Sequence, residues 1–143
     1  KKIYTQVKLV TEFYKKILKK KPRIAITGLN PHCESNFKNC EEDVTIIPAI
    51  RHLKSKNFKV QGPFPADTIF MSKNLKDFDT IIGMYHDQVL SPMKALFGFE
   101  AINITLGLPF IRISPDHGPN SSMIGKNLSD PKSLIEALKF LDK

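Results

Sequence analysis

Residues 84–118 gather side chains that do little for a core. Met84-Tyr85-His86-Asp87-Gln88 comes first, then Lys94, then Asn103-Ile104-Thr105-Leu106-Gly107-Leu108-Pro109, then Arg112, then Asp116-His117-Gly118. An imidazole, carboxylates, an ammonium, an amide and a guanidinium follow apolar, strand-like runs at short intervals. That mixture suits a metal and a small anionic substrate. His86 is a candidate metal ligand, because imidazole nitrogen binds borderline divalent cations and a carboxylate such as Asp87 completes or orients such a shell. The competing reading is a surface histidine in an ordinary hydrogen bond. His32 shifts that balance, since histidines at two strand ends of one sheet can meet although far apart in sequence. Two imidazoles do not complete a tetrahedral zinc shell. A third ligand has to come from elsewhere.

Lys94, Asn103 and Arg112 offer a point charge, a neutral donor and a planar fork, a set suited to phosphate or carboxylate. Alone, Lys94 reads as a solvated lysine. Arg112 lies in Phe110-Ile111-Arg112-Ile113, a pattern that predicts a buried strand, where an unpaired cation is costly. His117 reads equally as a ligand, a cofactor contact or a loop residue. His52 reads as a surface residue. The chain has no G-x-G-x-x-G run, P-loop, nucleophile elbow or H-E-x-x-H motif.

The elements that must position these groups alternate between helix and strand. Ile3, Val7, Val10, Phe13, Tyr14, Ile17 and Leu18 predict a helix over 2–19, stopped by Pro22. Arg23-Ile24-Ala25-Ile26-Thr27 predicts a buried strand, and Gly28-Leu29-Asn30-Pro31-His32 the loop after it. Glu41-Glu42-Asp43 opens a second helix carrying Ile46, Ile47, Ile50 and Leu53, with Pro48 in its first turn. A short strand over 60–62 leads into a rigid loop over 62–67. Residues 78–84 predict a second buried strand that delivers His86, and a short helix follows over 89–97. Strands are expected over 101–106 and 110–114. A last helix starts at Ser129-Asp130-Pro131, with Leu134, Ile135, Leu138 and Leu141 as its apolar stripe. The pattern predicts an α/β fold, one unit over 1–143. In such sheets ligands bind beyond the carboxyl ends of strands. His32, His86 and His117 each come just after a strand-like run.

The bulk composition narrows the class. The chain has 143 residues, 41% of them hydrophobic, enough for a real core. No apolar run is long enough to span a membrane. The net charge of +8 raises nucleic acid as a partner, but the lysines are scattered and not interleaved with aromatics. A solvated lysine-rich surface is therefore expected, with no nucleic-acid and no membrane partner. Cys33 and Cys40 make no disulfide framework, so reduced thiols and a cytoplasmic location are expected. The chain opens Lys1-Lys2-Ile3-Tyr4, without Met and in what reads as a helix, so a piece of a longer protein is expected.

The sequence closely resembles the 4-hydroxythreonine-4-phosphate dehydrogenase family of pyridoxal phosphate (vitamin B6) biosynthesis. The likeness is carried by Gly28-Leu29-Asn30-Pro31-His32, Ile46-Ile47-Pro48, Gly62-Pro63 and Pro65-Ala66-Asp67-Thr68. It continues through Met84-Tyr85-His86-Asp87-Gln88, the run from Asn103 to Arg112, and Asp116-His117-Gly118. It covers nearly the whole chain but only the second half of the family's sequence. The resemblance implies an α/β/α layered sheet of the isocitrate/isopropylmalate dehydrogenase type. It implies NAD bound without the common glycine fingerprint, and a divalent metal (zinc, magnesium or cobalt) held by three histidines from both subunits of a homodimer. Two of these correspond to His32 and His86; the third belongs to the absent half. By resemblance Lys94, Asn103 and Arg112 contact a phosphorylated amino-acid substrate, Asp67 and Asp87 are catalytic, and Asp116, His117 and Gly118 face the cofactor.

The implied reaction is oxidation of the substrate hydroxyl followed by loss of carbon dioxide, with negligible activity expected of the 143-residue piece alone. The sequence departs from the family at Cys33-Glu34-Ser35-Asn36-Phe37-Lys38-Asn39-Cys40, where a glycine-rich run is usual, at Val89 and at Pro119-Asn120. The first and third of these bear on cofactor contacts. Two other readings stand beside the enzyme: a metal- or phosphate-binding module without redox activity, and a basic nucleic-acid binder whose affinity would fall steeply with salt.

Overall fold

The computed structural model describes residues 1–33, 39–119 and 121–142. The sequence pattern reads as one unit over 1–143, whereas the chain folds as two compact units, Lys1–Leu90 and Ser91–Lys143. The reason lies in the sheets. The first unit holds a three-stranded sheet and the second a separate two-stranded one.

In the first unit, α1 (Lys2–Ile17) turns Val7 fully inward, as its apolar spacing requires. Pro22 ends the excursion, and β1 (Ile24–Thr27) follows with all four residues buried. β1 is the central strand, parallel to β2 (Val60–Phe64) on one side and β3 (Thr80–Ile82) on the other. A strand covered on every side has no need of polar alternation, hence the unbroken Ile-Ala-Ile. One π-helical turn (Glu42–Ile46) leads into α2 (Ile47–Ser55), with Pro48 in the first turn, where a missing N–H costs nothing. Val7, Ile24, Ile26, Ile46, Ile50, Leu53 and Val60 form the core.

Three expectations shift. The loop expected from Gly62 is strand as far as Phe64. β2 lies at the sheet edge, so Pro63 forfeits little by lacking an N–H. The pairing slips here, with Ala25 opposite Gln61 but Thr27 opposite Phe64. Gly62 permits the slip: its φ is +136°, and a Cβ would lie 2.3 Å from the Ile26 carbonyl oxygen. The strand expected over 78–84 is only Thr80–Ile82 and half-buried, as befits the other edge. The following helix, α4 (His86–Phe97), starts at His86 rather than Val89. A short helix, α3 (Ser72–Leu75), lies between β2 and β3.

In the second unit, β4 (Ile102–Thr105) pairs antiparallel with β5 (Arg112–Pro115), and α5 (Lys132–Leu141) packs on both strands. α5 approaches through small residues. Ser133 and Ala137, one turn apart, are buried, and Ser133 Oγ donates to Ala101 O at 2.6 Å while accepting from Asp116 N at 2.9 Å. The predicted stripe of Leu134, Ile135, Leu138 and Leu141 is therefore not the packed face, and these residues are exposed.

Candidate functional site

The carboxyl ends of β2, β1 and β3 lie side by side, and each strand is followed within a few residues by a candidate group. Asp67 follows β2, His32 follows β1, and His86 with Asp87 follows β3. The strand-end rule thus places all four at one edge of one sheet. The structure joins them in two pairs. His32 Nδ1 meets Asp67 Oδ2 at 3.0 Å, and His86 Nδ1 meets Asp87 Oδ1 at 2.6 Å. With Nδ1–H donating to the carboxylate, each ring keeps its lone pair on Nε2, the arrangement in which imidazole ligates a divalent cation. Both side chains are well exposed, 68% for His32 and 76% for His86. Among the described residues, no group of three or more His, Cys, Asp or Glu side chains could hold a metal by itself. The donor set fits a cation in kind and is incomplete in number.

The loop that carries His32 is built as an Asx turn. Asn30 Oδ1 accepts from His32 N at 3.0 Å, and Cys33 N donates to Asn30 O at 3.1 Å. Its neighbour is the loop of Asp67, reached by Ala66 N donating to Pro31 O at 2.9 Å. On its inner side stands Glu42, only 3% exposed. Burial pushes that carboxyl up, but backbone N–H groups of Asn30, Glu42 itself and Leu29, with the Cys40 thiol, outweigh it and hold the group below the usual range. Asn30 N donates to Glu42 Oε1 at 2.8 Å. Burial raises the Cys33 thiol, and the negative charge of Glu42 adds to the effect. Cys33 and Cys40 are free thiols. The rest of that departure, 34–38, lies outside the described residues, as does Asn120.

Across the sheet, Gln88 ties the two histidine loops. It is buried in the first turn of α4, with Oε1 on Thr27 and Met84 and Nε2 on Gly28. The sequence pattern assigns Gln88 no role. Glu42 reads in the sequence as a helix-start acid. In both cases the missing information was a partner. Gln88 lies 60 residues from Gly28 and 61 from Thr27.

The second unit presents Asn103 and Arg112 on a ribbon. Asn103 stands opposite Ser114, and Thr105 opposite Arg112. The period of two puts these four on one face and Ile102, Ile104, Ile113 and Pro115 on the other. Arg112 is exposed, contrary to the buried strand expected, because it belongs to the polar face. Its Nη1 donates to Thr105 Oγ1 at 2.8 Å. Lys94 pairs with Asp116 Oδ2 at 3.1 Å and donates to the Asp116 carbonyl, which joins a predicted substrate contact to a predicted cofactor contact. His117 is exposed, with Nδ1 against Gly118 O at 3.1 Å, and Gly118 borders open space. Thr105 and Ser114 complete the polar face. Their alternation with isoleucine in Ile102-Asn103-Ile104-Thr105 is the period-two signal that marks them.

Residues 1–141 match the sequence model of the family described as pyridoxal phosphate biosynthetic protein PdxA. The chain belongs to that family. A 4-hydroxythreonine-4-phosphate dehydrogenase from Sulfurihydrogenibium sp. (strain YO3AOP1) is 47% identical over 141 residues, covering 97% of this chain and 43% of the relative. A D-threonate 4-phosphate dehydrogenase from Cupriavidus necator is 48% identical over 121 residues, covering 82% of this chain and 36% of the relative. Two crystal structures of 4-hydroxythreonine-4-phosphate dehydrogenase superpose on the fold. One, from Burkholderia phymatum, gives a TM-score of 0.76 at 40% identity; the other, from Klebsiella pneumoniae, gives 0.79 at 34%. Each covers 96% of this chain, which spans 42% of the solved one. The family has the isocitrate/isopropylmalate dehydrogenase type of α/β fold, and this chain is a partial version of it. Among the described residues, no helix is long and apolar enough to cross a membrane.

Proposed function

We propose that the full-length protein oxidises the secondary hydroxyl of 4-phosphohydroxythreonine, using NAD and a divalent metal, and that the 3-oxo acid then loses carbon dioxide. The observation that carries this reading is the pair of carboxylate-oriented histidines at the ends of adjacent parallel strands. It is supported by relatives named as dehydrogenases of phosphorylated hydroxy acids. When bound, the metal (zinc, magnesium or cobalt) would supply Lewis acidity and NAD would accept hydride.

This chain's own residues then have separable tasks. His32 and His86 would hold the metal through Nε2, with a third ligand from outside the 143 residues. Asp67 and Asp87 fix ring tautomer and orientation, and either carboxylate is placed to take up a proton released nearby. Arg112 offers its fork to the phosphate, with Asn103 as a neutral donor on the same face. Lys94 contributes one positive charge already shared with Asp116. Asp116, His117 and Gly118 form the stretch proposed to face NAD, and the open space at Gly118 leaves room for close approach. The working form is proposed to be a cytoplasmic homodimer. The isolated 143-residue chain is expected to bind without turning over.

D-threonate 4-phosphate is the second candidate substrate, favoured by the 48% identity to the relative so named. Both candidates carry a terminal phosphate and a hydroxyl β to a carboxylate, so the same residues serve either. An NAD-reduction assay on the full-length protein with each compound, with and without chelator, decides between them. His86→Ala is expected to abolish metal-dependent turnover, and Asp67→Asn to lower it about 10–100-fold. Full rate in His86→Ala would overturn the metal assignment.

A further inference from the structure

Gln88 is a buried amide whose every strong contact reaches a backbone or strand that leads to a histidine. Its Oε1 accepts from Thr27 Oγ1 at 2.6 Å and from Met84 N at 2.7 Å, and its Nε2 donates to Gly28 O at 2.8 Å. Thr27 is the last residue of β1, and Gly28 opens the loop to His32. Met84 lies two residues before His86. One planar group therefore spans both loops, with two acceptor bonds and one donor bond used.

A packing role alone does not account for this choice. Leucine or methionine fills a comparable volume without needing partners, and burying an amide is favourable only when its hydrogen bonds are met. The surroundings are tight as well. A Cβ at Gly83 would lie 2.7 Å from Val89 Cγ1 and 3.3 Å from Gln88 Oε1, so the turn before His86 is pressed against α4. On the far side of the His32 loop, Glu42 performs the matching task through Asn30 N. The His32 loop is thus held from two sides, and the hold on the Gln88 side is shared with the turn to His86.

We infer that Gln88 is a positioning residue whose amide sets the spacing of the 28–32 loop and the 84–86 turn, and through it the affinity of the histidine pair for a divalent cation. The inference rests on the reading of His32 and His86 as ligands. Gln88 touches neither cation nor substrate. It acts through the two backbones it joins.

The test is a zinc-binding measurement on the full-length protein stripped of metal, by competition with a chromophoric chelator at a temperature where every variant is folded by circular dichroism. Gln88→Met keeps the length and volume and removes the amide. Its zinc affinity is expected to fall about 10–100-fold. Thr27→Val removes one of the three bonds without changing shape, and a smaller loss in the same direction is expected. Thr27→Val carries the test by itself if Gln88→Met does not fold. Leu53→Ala, in the core of the same unit, lowers stability by another route and should leave zinc affinity at the wild-type value. Wild-type affinity in the folded amide variants, with affinity lost in His86→Ala, would overturn the positioning role and leave the ligand reading intact. An equal loss in Leu53→Ala would reduce Gln88 to general packing and overturn it too. Zinc binding that His86→Ala leaves unchanged, or no zinc binding by the wild type, would overturn the ligand reading and this inference with it.

Discussion

The two units solve the same problem, holding polar groups in place, with unequal means. The first, Lys1–Leu90, sets its histidines on loops anchored to a sheet with a core of Val7, Ile24, Ile26, Ile46, Ile50, Leu53 and Val60. In the second, Ser91–Lys143, the one buried apolar residue among those described is Ala137, while Ile124, Leu128, Leu134, Leu138 and Leu141 are exposed. Asn103 and Arg112 sit on a two-stranded ribbon backed by one helix, and Lys94 on the last part of α4. Side-chain geometry is only as firm as the packing behind it. A loop tied to a dense core by Glu42 and Gln88 holds its side chains more firmly than a ribbon with little buried behind it.

Substitutions put that contrast to the test. The largest effect is expected from Leu53→Ala, which empties space in the first core and should cost about 2–5 kcal/mol in thermal or denaturant unfolding of the 143-residue chain. Next comes Asp79→Asn. Asp79 ties the start of β3 to the start of β1, accepting from Arg23 Nε at 3.1 Å, Arg23 N at 2.9 Å and Lys20 Nζ at 3.0 Å. The Arg23 side chain foremost, then its backbone N–H and Lys20, hold the carboxyl well below the usual range. A depressed acid stabilises the fold at pH above its unfolded value, and the contribution drains away as pH falls below the ordinary carboxylate range. Asp79→Asn should therefore lose on the order of 1–3 kcal/mol at neutral pH. It should also flatten the acid limb of the stability profile. An unchanged acid limb would remove Asp79 from the account. The smallest effect is expected from Leu138→Ser in the second unit, within about 0.5 kcal/mol in the same chain. A loss there as large as that of Leu53→Ala would erase the difference between the units.

Much of the first unit was legible because its signals are local. The unbroken Ile24-Ala25-Ile26 announces a covered strand, the spacing of Val7 and Tyr14 a helix, and Pro22 its limit. The start of α4 was not legible, since His86-Asp87-Gln88 is polar and no period of 3.6 can be read through it. The apolar spacing predicts α5 as a helix, but amphipathicity tells which side is apolar, not which side meets a neighbour. There the small residues Ser133 and Ala137 won. The flanking isoleucines make Arg112 look buried, whereas the pleat sends it the opposite way. For the site, residue type pointed to His32, His86 and Asp87 and the family resemblance to Asp67; the structure pairs His32 with Asp67 and His86 with Asp87. Gln88 and Glu42 matter through partners remote in sequence or on the backbone, and composition carries no record of either.

Gly62 bears on the site although it has no functional group. A single added carbon there would wedge the edge strand away from the Ile26 carbonyl, five residues before Asp67. The displacement would carry down the strand to the carboxylate that steadies His32. The alignment of His32 with Asp67 therefore depends on an atom the chain leaves out, and an uncharged methyl group at position 62 would disturb it without touching either side chain.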